Sequence, residues 1–80
     1  MINTSSIYEA AYYLSAKNNF LSTIEVIGRT IYYHIDGEGM EAMRKKYYRH
    51  QNANVNYHAF TSALVMLTDA SEKVKQGGDL

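Results

Sequence analysis

The chain has no cysteine, no proline and no tryptophan. Without cysteine there is no disulfide framework, no thiolate zinc site and no cysteine nucleophile, and this composition is typical of a reducing, cytoplasmic setting. No apolar run approaches the roughly 18 residues that a membrane-spanning helix needs. The segment from Met1 to Ser6 also has neither the basic start nor the apolar core of a signal peptide. The sequence therefore predicts a cytoplasmic protein that has no membrane partner.

Net charge is also absent, because eight basic residues balance eight acidic ones. A neutral chain has no overall field that would attract DNA, and it does not imitate DNA either. The chain is 80 residues long and 46% hydrophobic, which argues against disorder and allows one small domain. Because a core of this size supplies only about 3–5 kcal/mol of stability, we expect the protein to associate with itself or with another protein.

The first predicted element is an amphipathic helix. Ser6 and Glu9 have the spacing of a capping box, in which each side chain accepts a hydrogen bond from a backbone N–H at the helix start. Apolar residues follow at the i, i+3, i+4, i+7 spacing: Ile7, Ala10, Ala11 and Leu14. We expect the helix to end near Lys17. Tyr8 and Tyr12 lie one turn apart beside the apolar stripe, and we expect both to be candidates for the surface.

A β-hairpin is predicted over residues 21–36, which are rich in β-branched and aromatic side chains and are interrupted only by Gly28-Arg29. A glycine in the first central position allows the positive φ of a type II′ turn. In the resulting register Ile27 opposes Thr30 and Ser22 opposes Ile35. The face predicted to meet the core consists of Ile24, Val26, Ile31, Tyr33 and Ile35. The opposite face consists of Thr23, Glu25, Ile27, Thr30, Tyr32 and His34.

Two further helices are predicted after the hairpin. The first covers residues 40–50, with Met40, Met43 and Tyr47 directed inward. The second begins after the N-cap residue Asn56, and Val55 and Phe60 have the spacing of a hydrophobic staple. Its apolar stripe consists of Phe60, Ala63, Leu64, Leu67, Ser71 and Val74. The predicted fold is a single α+β domain over residues 4–75 in the order α-β-β-α-α, with a hairpin covered on one face by three helices and a loose tail at 76–80.

Three segments carry a resemblance to a known family: Ile7 to Leu14, Ile31 to Asp36, and Val55 to Phe60. In these segments the chain resembles a small family of domains of unknown function that occurs mainly in phage, prophage and other mobile or microbial genomes. The resemblance implies the α-β-β-α-α arrangement and a role in regulation or in countering host defence, and it implies no catalytic residue. Where the family has Asp followed by Pro at the start of the last helix, this chain has Asn56-Tyr57, which preserves the cap.

Patterns that carry catalysis or metal binding are missing from the sequence. His34, His50 and His58 have no histidine or carboxylate at metal-ligand spacing on their own elements. Gly37 and Gly39 lack the third glycine of a nucleotide-binding fingerprint, and no serine lies in a Gly-x-Ser-x-Gly elbow. The sequence therefore predicts no enzyme, no metal, no cofactor and no small-molecule substrate.

A basic segment near the end of the second predicted helix has two interpretations, and both stay open. As a nucleic-acid site it would bind phosphates and stack on bases. Its members are Arg44, Lys45, Lys46, Tyr48, Arg49 and His50. As an ordinary helix end it would complement the helix dipole, with Glu41 and Lys45 forming a stabilising i, i+4 pair.

The last helix and the tyrosines indicate a surface for a protein partner. Val65 points nearly opposite the apolar stripe of its helix, which indicates either a helix wedged among others or a contact with another chain. A two-stranded sheet would also leave unpaired edges. The candidate partner-binding residues are Tyr8, Tyr12, Tyr32, His34 and Val65. The predicted function is a non-catalytic, homodimeric protein-interaction module, an accessory or anti-defence protein of a mobile element, and the alternative is a small nucleic-acid-binding protein.

Overall fold

A computed structural model describes residues 1–16, 18–49 and 56–75 of the chain. The elements in these residues are β1 (Ile2–Thr4), α1 (Ile7–Leu14), β2 (Phe20–Ile27), β3 (Thr30–Asp36), α2 (Met40–Arg49) and α3 (Tyr57–Lys75). The predicted α+β class with three helices is confirmed. The predicted hairpin is present, but the sheet has three strands instead of two because β1 pairs with β3, and the order is β-α-β-β-α-α instead of α-β-β-α-α. His50, Val55 with its predicted staple, and the predicted tail lie outside the described residues.

The sheet is antiparallel with the strand order β1-β3-β2, so β3 is its central strand. β1 pairs with β3 through Ile2 opposite Ile35 and Thr4 opposite Tyr33. It begins before the predicted domain range of 4–75. Ile2 and Thr4 are buried and Asn3 is exposed, which is the alternation expected of a strand. Three residues are too few for such an alternation to be recognised from the sequence.

The hairpin between β2 and β3 has the predicted register near its turn. Ile27 opposes Thr30, and Gly28 has a φ of +62° while Arg29 has no positive φ, as a type II′ turn requires. Farther from the turn, a β-bulge between Leu21 and Thr23 shifts the register by one residue. Ile35 therefore opposes Leu21 and not the predicted Ser22. The bulge brings the apolar Leu21 against the core in place of a serine.

α1 is the central helix, packed between the sheet, α2 and α3. Five consecutive residues from Glu9 to Tyr13 are buried, so the helix meets protein on nearly all sides. The prediction that Tyr12 is exposed is wrong, since only 6% of the residue is accessible. Its ring lies 5.7 Å from that of Tyr13 and 5.3 Å from that of Tyr47, centroid to centroid. α2 covers a flank of α1 that the apolar pattern in the sequence of α1 predicts to face solvent.

The start of α1 keeps one half of the predicted capping box. Ser6 Oγ accepts a hydrogen bond from the N–H of Glu9 at 3.2 Å, as expected. The reciprocal bond is not made by Glu9, because the N–H of Ser6 donates to Thr4 Oγ1 at 3.1 Å. The carboxylate of Glu9 therefore turns into the core. At the other end α1 stops at Leu14, before the predicted end near Lys17.

α2 and α3 follow the predicted patterns closely. Met40 is buried, and Met43 and Tyr47 pack against the core. Asn56 caps α3 as predicted, with its Oδ1 accepting the N–H of Ala59 at 2.9 Å. Val65 is 58% exposed, so α3 is not the wedged helix.

A close approach between Asn19 and Gly37 joins the end of α1 to the segment after β3. Asn19 Nδ2 donates to the backbone oxygen of Tyr13 at 2.8 Å. A Cβ atom at Gly37 would lie 2.9 Å from Asn19 Cα and would also collide with the amide oxygen of Asn19. Only glycine fits at this position without displacing Asn19.

Candidate functional site

β2 is an edge strand, because β3 has β1 on its other side and no strand in the described part of the chain pairs with the outer edge of β2. In a two-residue hairpin the closing pair, here Ile27 and Thr30, exchanges ladder hydrogen bonds. The backbone groups of Thr23, Glu25 and Ile27 therefore point toward β3. Those of Ile24 and Val26 point away from the sheet, which leaves two donors and two acceptors in a row on the outer edge.

The side chains of this edge offer little protection against pairing with another strand. Natural edge strands are usually blocked by lysine, proline or bulges. β2 contains no Lys, Arg or Pro and has one charge, Glu25. Its bulge occupies only the start of the strand. The large exposed apolar side chains on β2 are those of Phe20, Val26 and Ile27.

The outer side of α3 lies next to the start of β2. Val65 and Met66 of α3 are exposed, and with Leu21 they line a surface cleft of about 450 Å³. Asp69 and Lys73 provide one charge of each sign along this cleft. The cleft therefore connects the edge strand to the exposed apolar pair of α3.

The predicted partner-binding residues do not form one surface. Tyr8 on α1 and Val65 on α3 are exposed, as predicted. Tyr32 and His34 lie on the face of the sheet that is turned away from the core, where His34 Nε2 is 3.2 Å from Glu25 Oε1. Tyr12 is buried and is separate from the other four. Sequence reasoning missed Phe20 and Met66. It anticipated unpaired strand edges but did not single out β2, although an apolar strand without lysine or proline is a signal for such an edge.

The predicted basic segment is divided in the structure into structural and exposed members. Arg44 Nε lies 3.6 Å from Glu9 Oε2, and its Nη2 donates to the backbone oxygen of Asn3 at 3.1 Å. Tyr48 donates its hydroxyl to Glu9 Oε1 at 2.7 Å, while the residue as a whole is 59% exposed. Arg44 therefore stabilises the fold, and Tyr48 has a fixed hydroxyl and an exposed ring.

The remaining described cations form a single face of α2. Lys45, Lys46 and Arg49 are exposed and, together with Ala42, line a surface cleft of about 400 Å³. These four positions have the i, i+3, i+4, i+7 spacing of one helix face. Within the described residues none of the three cations has a carboxylate oxygen within 4 Å, so the predicted pairing of Lys45 with Glu41 is not formed.

Glu9 is the centre of a buried polar network. In addition to Tyr48, its carboxylate accepts the hydroxyl of Tyr13 at 2.7 Å. Burial and the hydrogen bond to this carboxylate raise the pKa of Tyr13 far above its ordinary value. The bond to Glu9, followed by burial, also raises the pKa of Tyr48. Both hydroxyls therefore stay protonated and act as donors. The bond from Tyr48 to Glu9 joins α2 to α1, whereas the bond from Tyr13 to Glu9 lies within α1.

Metal-binding clusters and membrane-spanning helices are both missing from the described ranges, 1–16, 18–49 and 56–75. No three His, Asp or Glu side chains there come close enough together to hold a metal ion. No helix in those ranges combines the length and the apolar character that crossing a bilayer requires. In comparisons with known proteins, no family model, no curated protein and no solved structure matches this chain. The resemblance to domains of mobile elements stays a prediction.

Proposed function

We propose that this chain is a non-catalytic protein-interaction module that forms a homodimer by antiparallel pairing of β2 with β2 of a second copy. The observation that carries the proposal is the outer edge of β2, where the backbone groups of Ile24 and Val26 point away from the sheet. An exposed edge of this kind is a template for a further strand.

A second copy suits this edge because antiparallel pairing about a two-fold axis matches a strand with itself. With the axis at Glu25, Ile24 of each copy opposes Val26 of the other, and the two pairs exchange four hydrogen bonds. A two-fold axis at another residue of β2 would place the bulge at Ser22 or the turn at Gly28 within the paired segment, and fewer regular hydrogen bonds would form between the two copies. The product is a continuous sheet of six strands.

Glu25 makes the proposed dimer sensitive to charge. At the two-fold axis the carboxylates of the two copies would lie directly opposite each other on the outer face, and like charges in this position destabilise a pair of strands. Each carboxylate already has its own His34 at 3.2 Å, which opposes the repulsion when the imidazole is protonated. We therefore expect Glu25→Gln to strengthen self-association.

Amide hydrogen exchange tests the pairing directly, with sedimentation equilibrium as the measure of mass. As protein concentration rises into the high micromolar range, the amides of Ile24 and Val26 should become protected together with dimer formation. The amides of Glu25 and Ile27 bond to β3 within one copy, so they should be protected at every concentration and serve as the internal control. A strict monomer at high micromolar concentration would refute the proposal.

Val26→Pro tests the role of the backbone with a matched control. Proline removes the outward N–H of Val26, and it is tolerated on edge strands where that N–H faces solvent. Val26→Ala removes apolar surface but keeps the N–H. We expect the proline variant to be monomeric with an unchanged circular dichroism spectrum, and the alanine variant to dimerise more weakly than the parent chain. Equal effects of the two substitutions would contradict pairing through the edge.

The proposed biological setting is an accessory, regulatory or anti-defence protein of a phage or other mobile element. The support for it is the resemblance of residues 7–14, 31–36 and 55–60 to domains from such genomes. Neighbouring genes of phage or prophage type would support this setting, and an unrelated metabolic operon would count against it.

A further inference from the structure

We infer that the outward face of α2 is a separate binding site and that it takes single-stranded nucleic acid. The site consists of the cleft lined by Ala42, Lys45, Lys46 and Arg49, together with Tyr48, which lies one helical turn after Lys45. It does not depend on dimerisation, because it lies on a helix that is not part of the β2 edge.

The cations of this face are suited to phosphate groups. Lys45, Lys46 and Arg49 converge on one cleft, and the small side chain of Ala42 leaves room between them. Their charges are not neutralised by carboxylates within the described residues. Lysine binds phosphate as a point charge and arginine binds it with two parallel hydrogen bonds. The cleft therefore supplies the electrostatic half of a nucleic-acid site.

Tyr48 supplies a surface on which a base can stack. Its hydroxyl is held by the buried carboxylate of Glu9 at 2.7 Å, and the residue is 59% exposed. Tyr48 is three residues after Lys45, so the two residues are neighbours on the helix surface, and the ring of Tyr48 meets that of Tyr47 edge to face at 5.5 Å between centroids. Because the side chain is already fixed, little rotamer freedom remains to be lost when a base binds.

The combination of an anchored aromatic ring with phosphate-binding cations favours a single strand over other polyanions. Bases of a single strand are open to stacking, and stacking on an aromatic ring tolerates every base. A base pair inside a duplex hides the same faces, and an acidic peptide has no flat ring that requires such a platform. Arg44, which the sequence pattern includes, does not belong to this site because Glu9 and Asn3 engage it.

The first test compares two triple variants that remove the same charges from different places. Lys45→Ala, Lys46→Ala and Arg49→Ala remove two lysines and one arginine from the site. The matched control, Arg29→Ala, Lys73→Ala and Lys75→Ala, removes two lysines and one arginine from the hairpin turn and from the end of α3. Binding of a fluorescent oligothymidine is followed by anisotropy, and only the first triple variant should lose it.

Salt dependence measures the number of phosphate contacts. Three contacts to a single strand predict a slope of about −2 for log K against log salt, which weakens binding about 20-fold between roughly 50 and 200 mM. The control triple variant should keep this slope. Equal loss of binding in both triple variants, or no binding by the parent chain at low salt, would overturn the site.

The second test separates stacking from charge. Tyr48→Ala should weaken oligothymidine binding at least about fivefold, since it removes one stacked base. Tyr48→Phe loses the same hydrogen bond to Glu9 but keeps the ring, so it should bind more tightly than Tyr48→Ala. Inorganic polyphosphate, which has no bases, should bind both variants like the parent chain. If Tyr48→Ala weakened polyphosphate as much as oligothymidine, the site would be one for polyanions in general and the proposal would be wrong.

Discussion

Replacing Glu9 by leucine is expected to reverse the effect of a second substitution, Tyr13→Phe. In the parent protein the hydroxyl of Tyr13 donates to Glu9 at 2.7 Å, and Tyr13 is fully buried. Removing that hydroxyl loses a hydrogen bond to a charged acceptor, and Glu9 keeps Tyr48 and Arg44 as partners. In the Glu9→Leu background the same hydroxyl is buried without its carboxylate acceptor, so removing it relieves a cost.

The expected magnitudes follow from these contacts. A hydrogen bond to a charged group contributes about 1.5–3 kcal/mol, so Tyr13→Phe should destabilise the parent chain by that amount. A buried donor without an acceptor costs about 1–3 kcal/mol, so Tyr13→Phe should stabilise the Glu9→Leu protein by that amount. The coupling energy between the two positions is then about 2.5–6 kcal/mol.

Urea unfolding of the parent, the two single variants and the double variant measures this cycle. A core of this size supplies only about 3–5 kcal/mol of stability, so the coupling is comparable with it. Glu9→Gln is the milder variant, since its amide oxygen still accepts the hydroxyl, and Tyr13→Phe should remain destabilising in that background. If the two substitutions added to within about 0.5 kcal/mol, the hydroxyl of Tyr13 would not depend on Glu9 as its buried acceptor. If Glu9→Leu alone does not fold, recovery of folding in the double variant would show in the same way that Tyr13→Phe is stabilising in the Glu9→Leu background.

Three further predictions concern stability measured by urea unfolding. Because the pKa of Tyr13 is raised in the folded protein, the unfolded chain loses this proton first. The contribution of Tyr13 to stability should therefore be constant below about pH 10 and should fall by up to about 1.4 kcal/mol per pH unit above it, so the fall in total stability should be shallower in Tyr13→Phe. Gly37→Ala should destabilise the protein more than Gly28→Ala. A Cβ at Gly28 meets nothing within 4 Å, so Gly28→Ala costs only the strain of its positive φ, about 1–2 kcal/mol. Equal costs would contradict the close approach between Gly37 and Asn19. Tyr12→Ala should cost about 3–5 kcal/mol and Tyr8→Ala about 0.5 kcal/mol or less, whereas similar values would place both side chains in the same environment.

Features that depend on neighbours in the sequence could be predicted before the structure. The Ser6 and Asn56 caps, the type II′ turn at Gly28 and the pairing of Ile27 with Thr30 are all present. A cap or a two-residue turn is decided by groups within about four residues, so its chemistry is visible in the sequence. The α+β class and the inward faces of α2 and α3 follow from periodicity in the same way.

The candidate sites were predicted only in part, because the sequence shows local patterns but not contacts between distant residues. The cations Lys45, Lys46 and Arg49 and the exposed Val65 are where helical periodicity places them. The ion pair between Arg44 and Glu9 joins residues that are far apart along the chain. No local pattern contains that contact.

The sequence by itself determined the local pieces of this protein: the caps, the turn, most of the register and the helical faces. Only the tertiary structure decided which pieces are covered. It added β1 to β3 and thereby made β2 the long open edge, it buried Tyr12 under α2, and it turned Glu9 from a cap into the acceptor of two tyrosines. These outcomes depend on contacts between distant segments, because burial is a property of what packs against a residue and not of the residue itself.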